Sequence, residues 1–229
     1  MPNTSETSNK QTEKGKERIP THLGLDLTRT VIRQMELYRS HPWDTVPELS
    51  SYITKQGIEL PYDSYDEIRE NVWVHISAYL SPTAKIDGPA IICGGAKICH
   101  YAHVTASVIG SFATVGEFST VNNSILFDRS TLQGHNVFLS SILGYGSHVG
   151  YGTIVNDTRP DGDTVAISMP EGTYLTGKTK IGAVICDGVK IGASCLLRAG
   201  TVVDYGSKLA HTTHASGYLY PYSSFGTLS

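Results

Sequence analysis

Charge is scarce in this chain. Asp, Glu, Lys and Arg together make up 17% of its 229 residues, and the formal net charge is −3. That balance excludes a broadly cationic surface of the kind that holds nucleic acid or an anionic membrane. Between Lys97 and Arg129 there is no Lys or Arg at all. No apolar run reaches the roughly 18 residues that a membrane-crossing helix needs, so none is expected. Cysteine is also sparse: the four residues Cys93, Cys99, Cys186 and Cys195 form no CxxC pair. Such spacing fits neither a zinc ribbon nor a dithiol redox motif, and reduced thiols in a cytoplasmic protein are expected. The opening stretch, MPNTSETSNKQTEKGKERIP, lacks the apolar core of a secretory signal and reads as a disordered tail over residues 1–20.

Glycine, by contrast, is abundant, at 23 residues, which asks for many turns. Branched apolar residues recur at every sixth place. Val74, Leu80, Ile86, Ile92, Ile98 and Val104 form one unbroken run. With hydrophobic residues at 40% of the chain, independent draws would give such a run on the order of 0.4% of the time. A second run, Ile109, Val115, Val121 and Phe127, breaks at Gln133 and resumes at Leu139. A third is Leu143, Val149 and Val155; the last is Ile185, Ile191, Leu197, Val203 and Leu209. A period of six is neither the 3.6 of a helix nor a single long strand. It describes short strands and corners on a fixed schedule, the mark of a solenoid whose units bury their apolar faces against one another. Residues 156–178, rich in Asp, Gly and Pro, interrupt the schedule and predict an extended loop leaving the body. Upstream, Leu27, Val31, Ile32, Met35 and Tyr38 follow helical spacing, and Asp44 is placed to cap a second helix carrying Leu49, Tyr52 and Ile53. Residues 21–70 thus predict a short helical cap over the end of a β domain at 71–214, with 215–229 as a C-terminal tail.

The repeat resembles that of the hexapeptide-repeat acyltransferases, which form left-handed parallel β-helices with three hexads per triangular coil. The resemblance covers about 74–214. The words SILFDRSTLQGHNVFLSSILGYGSHVGYGTI and TGKTKIGAVICDGVKIGASCLLRAGTVV are most similar to the acetyltransferase half of the bifunctional bacterial enzyme that makes UDP-N-acetylglucosamine. They are closer still to short relatives labelled pyrophosphorylases. No Gly-rich nucleotidyltransferase loop is present, so that activity is not expected. The resemblance implies acetyl-CoA as co-substrate with no metal required, a sugar or sugar-nucleotide acceptor, and a cytoplasmic homotrimer with active sites between subunits.

If residues 18 apart stack, Glu117 lies under His135, and correction for the slips between runs adds His100 below and Tyr151 above. The expected column is His100–Glu117–His135–Tyr151. A carboxylate beside an imidazole fixes its tautomer and raises its basicity, as a general base requires. The step Gly134–His135 matches the one that carries the family's base, so His135 is the expected base and Glu117 its orienter. Substrate contacts are then expected from His100, Tyr151, Asn156 and Arg159. Lys190 and Lys208 are also 18 apart. Two ammonium groups on adjacent strands repel unless a bound anion separates them, and the phosphates of acyl-CoA would do so. Ala193 lies on the same coils, and Ala199 falls where the resembling enzyme has a small residue against CoA.

Other chemistry fits less well. GHNVFLSSILG echoes the γ-class carbonic anhydrases, but Ser140 stands where a zinc-binding His is required. His100/His103 and His211/His214 are HxxH pairs on strands and corners, without the helix of a metalloprotease. The family's substrate cations fall at Thr105 and at Asn122 or Asn123, its Tyr at Phe138, and its Gly-Asp step at Ser140–Ser141. A dianionic sugar phosphate therefore meets few cations here unless Arg159 or a neighbouring subunit supplies them. Two readings follow: an acyl-CoA-dependent acyltransferase, or a non-catalytic trimeric scaffold or nucleotide-sugar-binding relative that kept the fold.

Overall fold

The computed structural model describes residues 23–31 and 41–226. From residue 72 onward the chain is an all-β solenoid, a left-handed parallel β-helix whose turns each contribute one short strand to each of three sheets. Sheet 1 has nine strands, sheet 2 eight and sheet 3 seven. In sheet 1, Tyr65–Arg69 pairs antiparallel with Val72–His75 and closes one end; the later strands add in parallel. One interior column of Val, Ile, Leu, Phe and Ala, from Val72 to Leu219, fills the prism.

Register departs from the expectation in the middle. Val74 faces Ile92, Ile86 faces Val104 and Leu197 faces Ala215, all 18 apart. Between these ends, however, Val104, Val121, Phe138 and Val155 are successive partners and stand 17 apart. The corner from sheet 3 back to sheet 1 is one residue shorter there. Ala106, Asn123 and Ser140 turn it with φ of 48°, 48° and 44°. Leu126, Leu132 and Phe138 are therefore the inward residues. Phe127 faces outward into a separate cluster, and Gln133 is no break in the core at all.

The two faces of sheet 1 are both apolar. Trp73, Ile91, Val108, Ile125, Ile142, Val184 and Val202 point away from the prism and are nonetheless buried. The N-terminal segment lies along this flank instead of capping an end. The helix Leu49–Ile58 (α1) sets Leu49 and Ile53 against Ile91, Val108 and Ile125. Gly57 lies so close that a Cβ there would stand 2.2 Å from the Trp73 ring. Asp44 ends a 3-10 turn, Pro42–Asp44, where it accepts the His41 N–H at 3.2 Å; it does not cap α1. Leu27 belongs to a single 3-10 turn, Leu27–Arg29, while Ile32, Met35, Tyr38 and the expected 1–20 tail lie outside the described residues.

The interruption after Val155 is not a loop that leaves the body. Ala166–Met169 and Gly172–Leu175 form an antiparallel hairpin. Val165, Ile167 and Met169 pack with Trp43 onto Val184, Cys186 and Val202 of sheet 1. The solenoid then resumes and continues past residue 214, through Tyr218–Leu219 and Ser224–Phe225. No described helix is long and apolar enough to cross a membrane.

Candidate functional site: a cationic cleft on sheet 2

With sheet 1 covered, chemistry is left to sheets 2 and 3 and the corners between them. At the corner joining sheet 2 to sheet 3, the observed register replaces the expected column. Phe118 is paired through its backbone to His100, and His135 to Glu117, each N–H reaching back one turn at 3.0 and 2.7 Å. The step of 17 puts Glu117 beneath Gly134, whereas His135 stacks on Phe118. The column is thus His100–Glu117–Gly134–Tyr151. A Cβ on Gly134 would stand 2.9 Å from the Tyr151 ring, so only glycine lets that ring lie across it. His135 belongs to a neighbouring ladder of rings. Tyr101 and Phe118 stack at 5.0 Å between centroids and 15°, and Phe118 and His135 at 5.0 Å and 13°. All three occupy left-handed φ, 58°, 57° and 60°.

The link between Glu117 and His135 is therefore main-chain. Among the described residues no carboxylate touches the His135 ring, and Glu117 is exposed one place away from where an orienter must be. The expected orienting role of Glu117 fails on geometry, because the missing residue at the Asn122–Ser124 corner shifts its side chain by one position. His100 is tied down elsewhere: its Nδ1 meets Ser81 Oγ at 2.8 Å and Thr83 Oγ1 at 3.1 Å.

The lysine pair lies as the spacing predicts. Lys190 and Lys208 are direct partners on adjacent strands of sheet 2. The same ladder continues to His148, the partner of Lys190 on the turn before. These three line a cleft of about 370 Å³ with Gln133, Tyr151, Ala193 and His211. Lys190 Nζ donates to the Gly146 carbonyl at 3.1 Å, while the Lys208 ammonium has no hydrogen bond among the described residues. Burial pushes the His148 pKa below its ordinary value, and the charge of Lys190 pushes the same way. His148 is thus held neutral beside two cations. The Ala193 N–H donates to His211 Nδ1 at 2.8 Å, which puts the proton of neutral His211 on Nε2 and makes that nitrogen a donor toward the cleft. Main-chain approach is close here: a Cβ on Gly192 would stand 2.6 Å from the main-chain nitrogen of His211. Two ammonium groups, an imidazole donor and a phenol suit an oxyanion-bearing ligand.

His148 escapes an 18-residue column, because the hairpin insertion separates it from Lys190 by 42 places (190 − 148), whereas His211 stands 18 after Ala193 and lay within reach of the same count. The signal was the position itself: each stands immediately before, or two after, an inward residue of sheet 2, as Lys190 and Ala193 do.

Asn156, Arg159 and Ala199 gather at a second cleft of about 570 Å³, between sheet 3 and the hairpin insertion. Ala199 is therefore separate from Lys190, Lys208 and Ala193, which share the first. Among the described residues no group of three His, Cys, Asp or Glu is arranged to hold a metal ion. Ser140, at the carbonic-anhydrase ligand position, is buried and donates to Asp157 Oδ2 at 2.7 Å.

The fold and cleft together define a parallel β-helix with an anion-suited groove across three consecutive turns. No protein-family model and no curated protein sequence matches the chain. Solved structures similar to it include the acetyltransferase domain of PglB from Neisseria gonorrhoeae in complex with acetyl coenzyme A, at 17% identity and TM-score 0.32. That match takes in 58% of this chain and 53% of the other, so the chain aligns with about half of that protein's length. A variant of AntD, an N-acyltransferase from Bacillus cereus, in complex with dTDP-4-amino-4,6-dideoxyglucose and coenzyme A, is similar at 13% identity and TM-score 0.38, over 69% of this chain and 78% of that one. PerB from Caulobacter crescentus, in complex with CoA and GDP-perosamine, is similar at 22% identity and TM-score 0.25, over 64% and 54%.

Proposed function

We propose that this protein is an acyl-CoA-dependent acyltransferase, acetyl-CoA being the donor and a sugar or sugar-nucleotide amine or hydroxyl the acceptor. The observation that carries the reading is the ladder His148–Lys190–Lys208 in one cleft. Two cations on adjacent strands, about 4.8 Å apart, repel in the empty protein and attract in the presence of phosphate. Acyl-CoA brings phosphates, and Ala193 leaves room beside them for the pantetheine arm. His135 serves as base. Its ring rests on Phe118 and its nitrogens have no hydrogen bond among the described residues. In the transfer the acceptor nitrogen or oxygen bonds to the thioester carbonyl carbon. The C–S bond breaks, and the acceptor's proton passes through the imidazole to the leaving thiolate. Tyr151 and His100 border the corner where the acceptor would sit. A homotrimer belongs to the proposal: the outer face of sheet 3 carries Val137, Leu139 and Ile154, a surface for a second copy.

The test is a calorimetric titration with acetyl-CoA. Lys190→Gln and Lys208→Gln should each weaken binding at least tenfold, the loss of one charge-assisted contact. Thiol release with amino-sugar acceptors should then disappear in His135→Ala while acetyl-CoA binding persists. The absence of any Lys or Arg at 98–128 and of a carboxylate beside His135 favours a second reading, a scaffold that binds without turnover. Normal trimers that bind no acetyl-CoA would establish it.

A further inference from the structure

The second cleft has chemistry of its own. Its walls are apolar where Pro160, Val165, Leu196 and Ala199 meet, and Arg198 and Arg159 stand among them. Arg198 is exposed just after the strand Leu196–Leu197, beside Asn156, which follows the adjoining strand Ile154–Val155 and whose N–H donates to the Leu197 carbonyl at 3.0 Å. Among the described residues the Arg198 guanidinium has neither a carboxylate nor a hydrogen-bond partner. Arg159 differs. Its Nε donates to Asp161 Oδ1 at 2.9 Å and its Nη2 to Asp161 Oδ2, which fixes the guanidinium at the cleft rim. Asn156 likewise spends its amide internally, Nδ2 donating to the Thr158 carbonyl at 3.1 Å and Oδ1 accepting the Asp157 N–H at 3.0 Å. The insertion is thus folded by its own polar contacts, and the cation left over is Arg198.

We propose that this cleft binds the phosphate group of a small organic phosphate, with Arg198 as the bidentate contact and Arg159 as a weaker second cation. A guanidinium presents parallel N–H donors that match a phosphate, which an ammonium does not. The one carboxylate that lines the cleft, Asp161, is already neutralised by Arg159, so the net field at the mouth is positive. The apolar walls give the organic part of the ligand a surface to lie on. This deepens the acyltransferase reading by giving its acceptor a phosphate site where the turns at 98–128 have no cation, yet it stands on residues that the sheet 2 cleft does not use. The hairpin Ala166–Met169 and Gly172–Leu175 holds the far wall in place through Val165 and Ile167, which are 1% exposed.

The experiment is a titration of the full chain with uridine diphosphate and, separately, inorganic phosphate. Uridine diphosphate should bind, and Arg198→Gln should weaken it about tenfold. Arg198→Lys should recover only part of that loss, and Arg159→Gln should cost less than Arg198→Gln. Lys190→Gln should leave it unchanged within twofold. Stronger binding of uridine diphosphate than of inorganic phosphate is the expected result, whereas equal binding of the two would reduce the site to a bare anion contact and overturn the organic-ligand claim. Arg198 is exposed, so its variants should fold, and circular dichroism checks this. Wild-type affinity in Arg198→Gln, or no binding at millimolar ligand, overturns the proposal. If acetyl-CoA affinity, instead of uridine diphosphate affinity, follows Arg198, the cleft belongs to the cofactor and the proposal also fails. Loss of acetyl-CoA binding by every form of the protein would sink the acyltransferase reading while leaving this one intact.

Discussion

Sheets 1 and 2 are built from short strands on the same turns, and they end in opposite roles. Six successive strands of sheet 1 each offer two apolar residues, one inward and one outward: Ile91–Ile92, Val108–Ile109, Ile125–Leu126, Ile142–Leu143, Val184–Ile185 and Val202–Val203. Each of the six strands of sheet 2 between its two edge strands offers one. Its outward member is Lys97, Thr114, Thr131, His148, Lys190 or Lys208. The inward residues are interchangeable between the sheets, and the outward ones decide everything else. A parallel sheet buried on both faces reads as continuous apolar pairs, and one open to water alternates. Sheet 1 therefore recruits α1, Trp43 and the hairpin as a second layer, and the outer face of sheet 2 is left open to water.

The comparison breaks most sharply if the outward residue is exchanged on each. Val108→Asp places a carboxylate where exposure is 0%, against α1 and the neighbouring strands, with no cation to meet it. It should cost roughly 4 kcal/mol or more, enough to detach the N-terminal layer or unfold the domain. Thr114→Gln, on the same turn but on sheet 2, should change stability by no more than about 0.5 kcal/mol. Urea midpoints for the two variants decide the matter: equal shifts would mean that the N-terminal layer contributes nothing to sheet 1.

A smaller effect is expected at the polar seam that holds that layer in register. Asp187 accepts the Asp26 N–H at 2.7 Å and the Tyr145 N–H at 2.6 Å, and its own N–H donates to the Gly24 carbonyl at 2.8 Å. Burial raises its pKa against the pull of those two donors. Asp187→Ala leaves both N–H groups without their acceptor and should cost about 1–3 kcal/mol. The loss should appear first as faster hydrogen exchange at Asp26, ahead of the interior strands. Exchange that accelerates uniformly would place Asp187 in the global core and not in the seam.

The fold was legible because one rule, an inward branched residue every sixth place, survives the whole solenoid. Its ends, where the step is 18, were read correctly down to the Lys190–Lys208 pair. The middle was not, since the corner at Ser124 omits a residue without any change of composition: Phe127 and Leu139 are apolar too, and they made the wrong phase look plausible up to Gln133. That one slip removed Glu117 from His135. The covered flank was legible in the doublets, but a second apolar residue beside each inward one has no effect on a period of six and so passes unnoticed in a count of sixth places. The hairpin was hidden for a different reason. Its Val165, Ile167 and Met169 alternate as a strand should, but they stand among the Asp, Gly and Pro that mark loops.

The smallest expected effect concerns the open sheet. His148 is depressed by burial and, second, by Lys190. A histidine whose folded pKa lies below its unfolded one is protonated first in the unfolded chain, so its contribution to stability is unaltered above the ordinary histidine range and falls as pH drops through it. Lys190→Met removes the second cause and should raise the His148 pKa toward the ordinary histidine value, with burial still holding it below. The imidazole proton shifts of His148, followed by NMR from pH 5 to 8, measure this directly. Acetyl-CoA should do the same with the lysine intact, because phosphate on Lys190 and Lys208 replaces a repelling field by an attracting one. Its binding near pH 6 should then take up protons, seen as a buffer-dependent heat. A His148 titration that ignores both Lys190→Met and acetyl-CoA would separate the histidine from the lysine ladder and leave sheet 2 with two cations in place of a three-residue site.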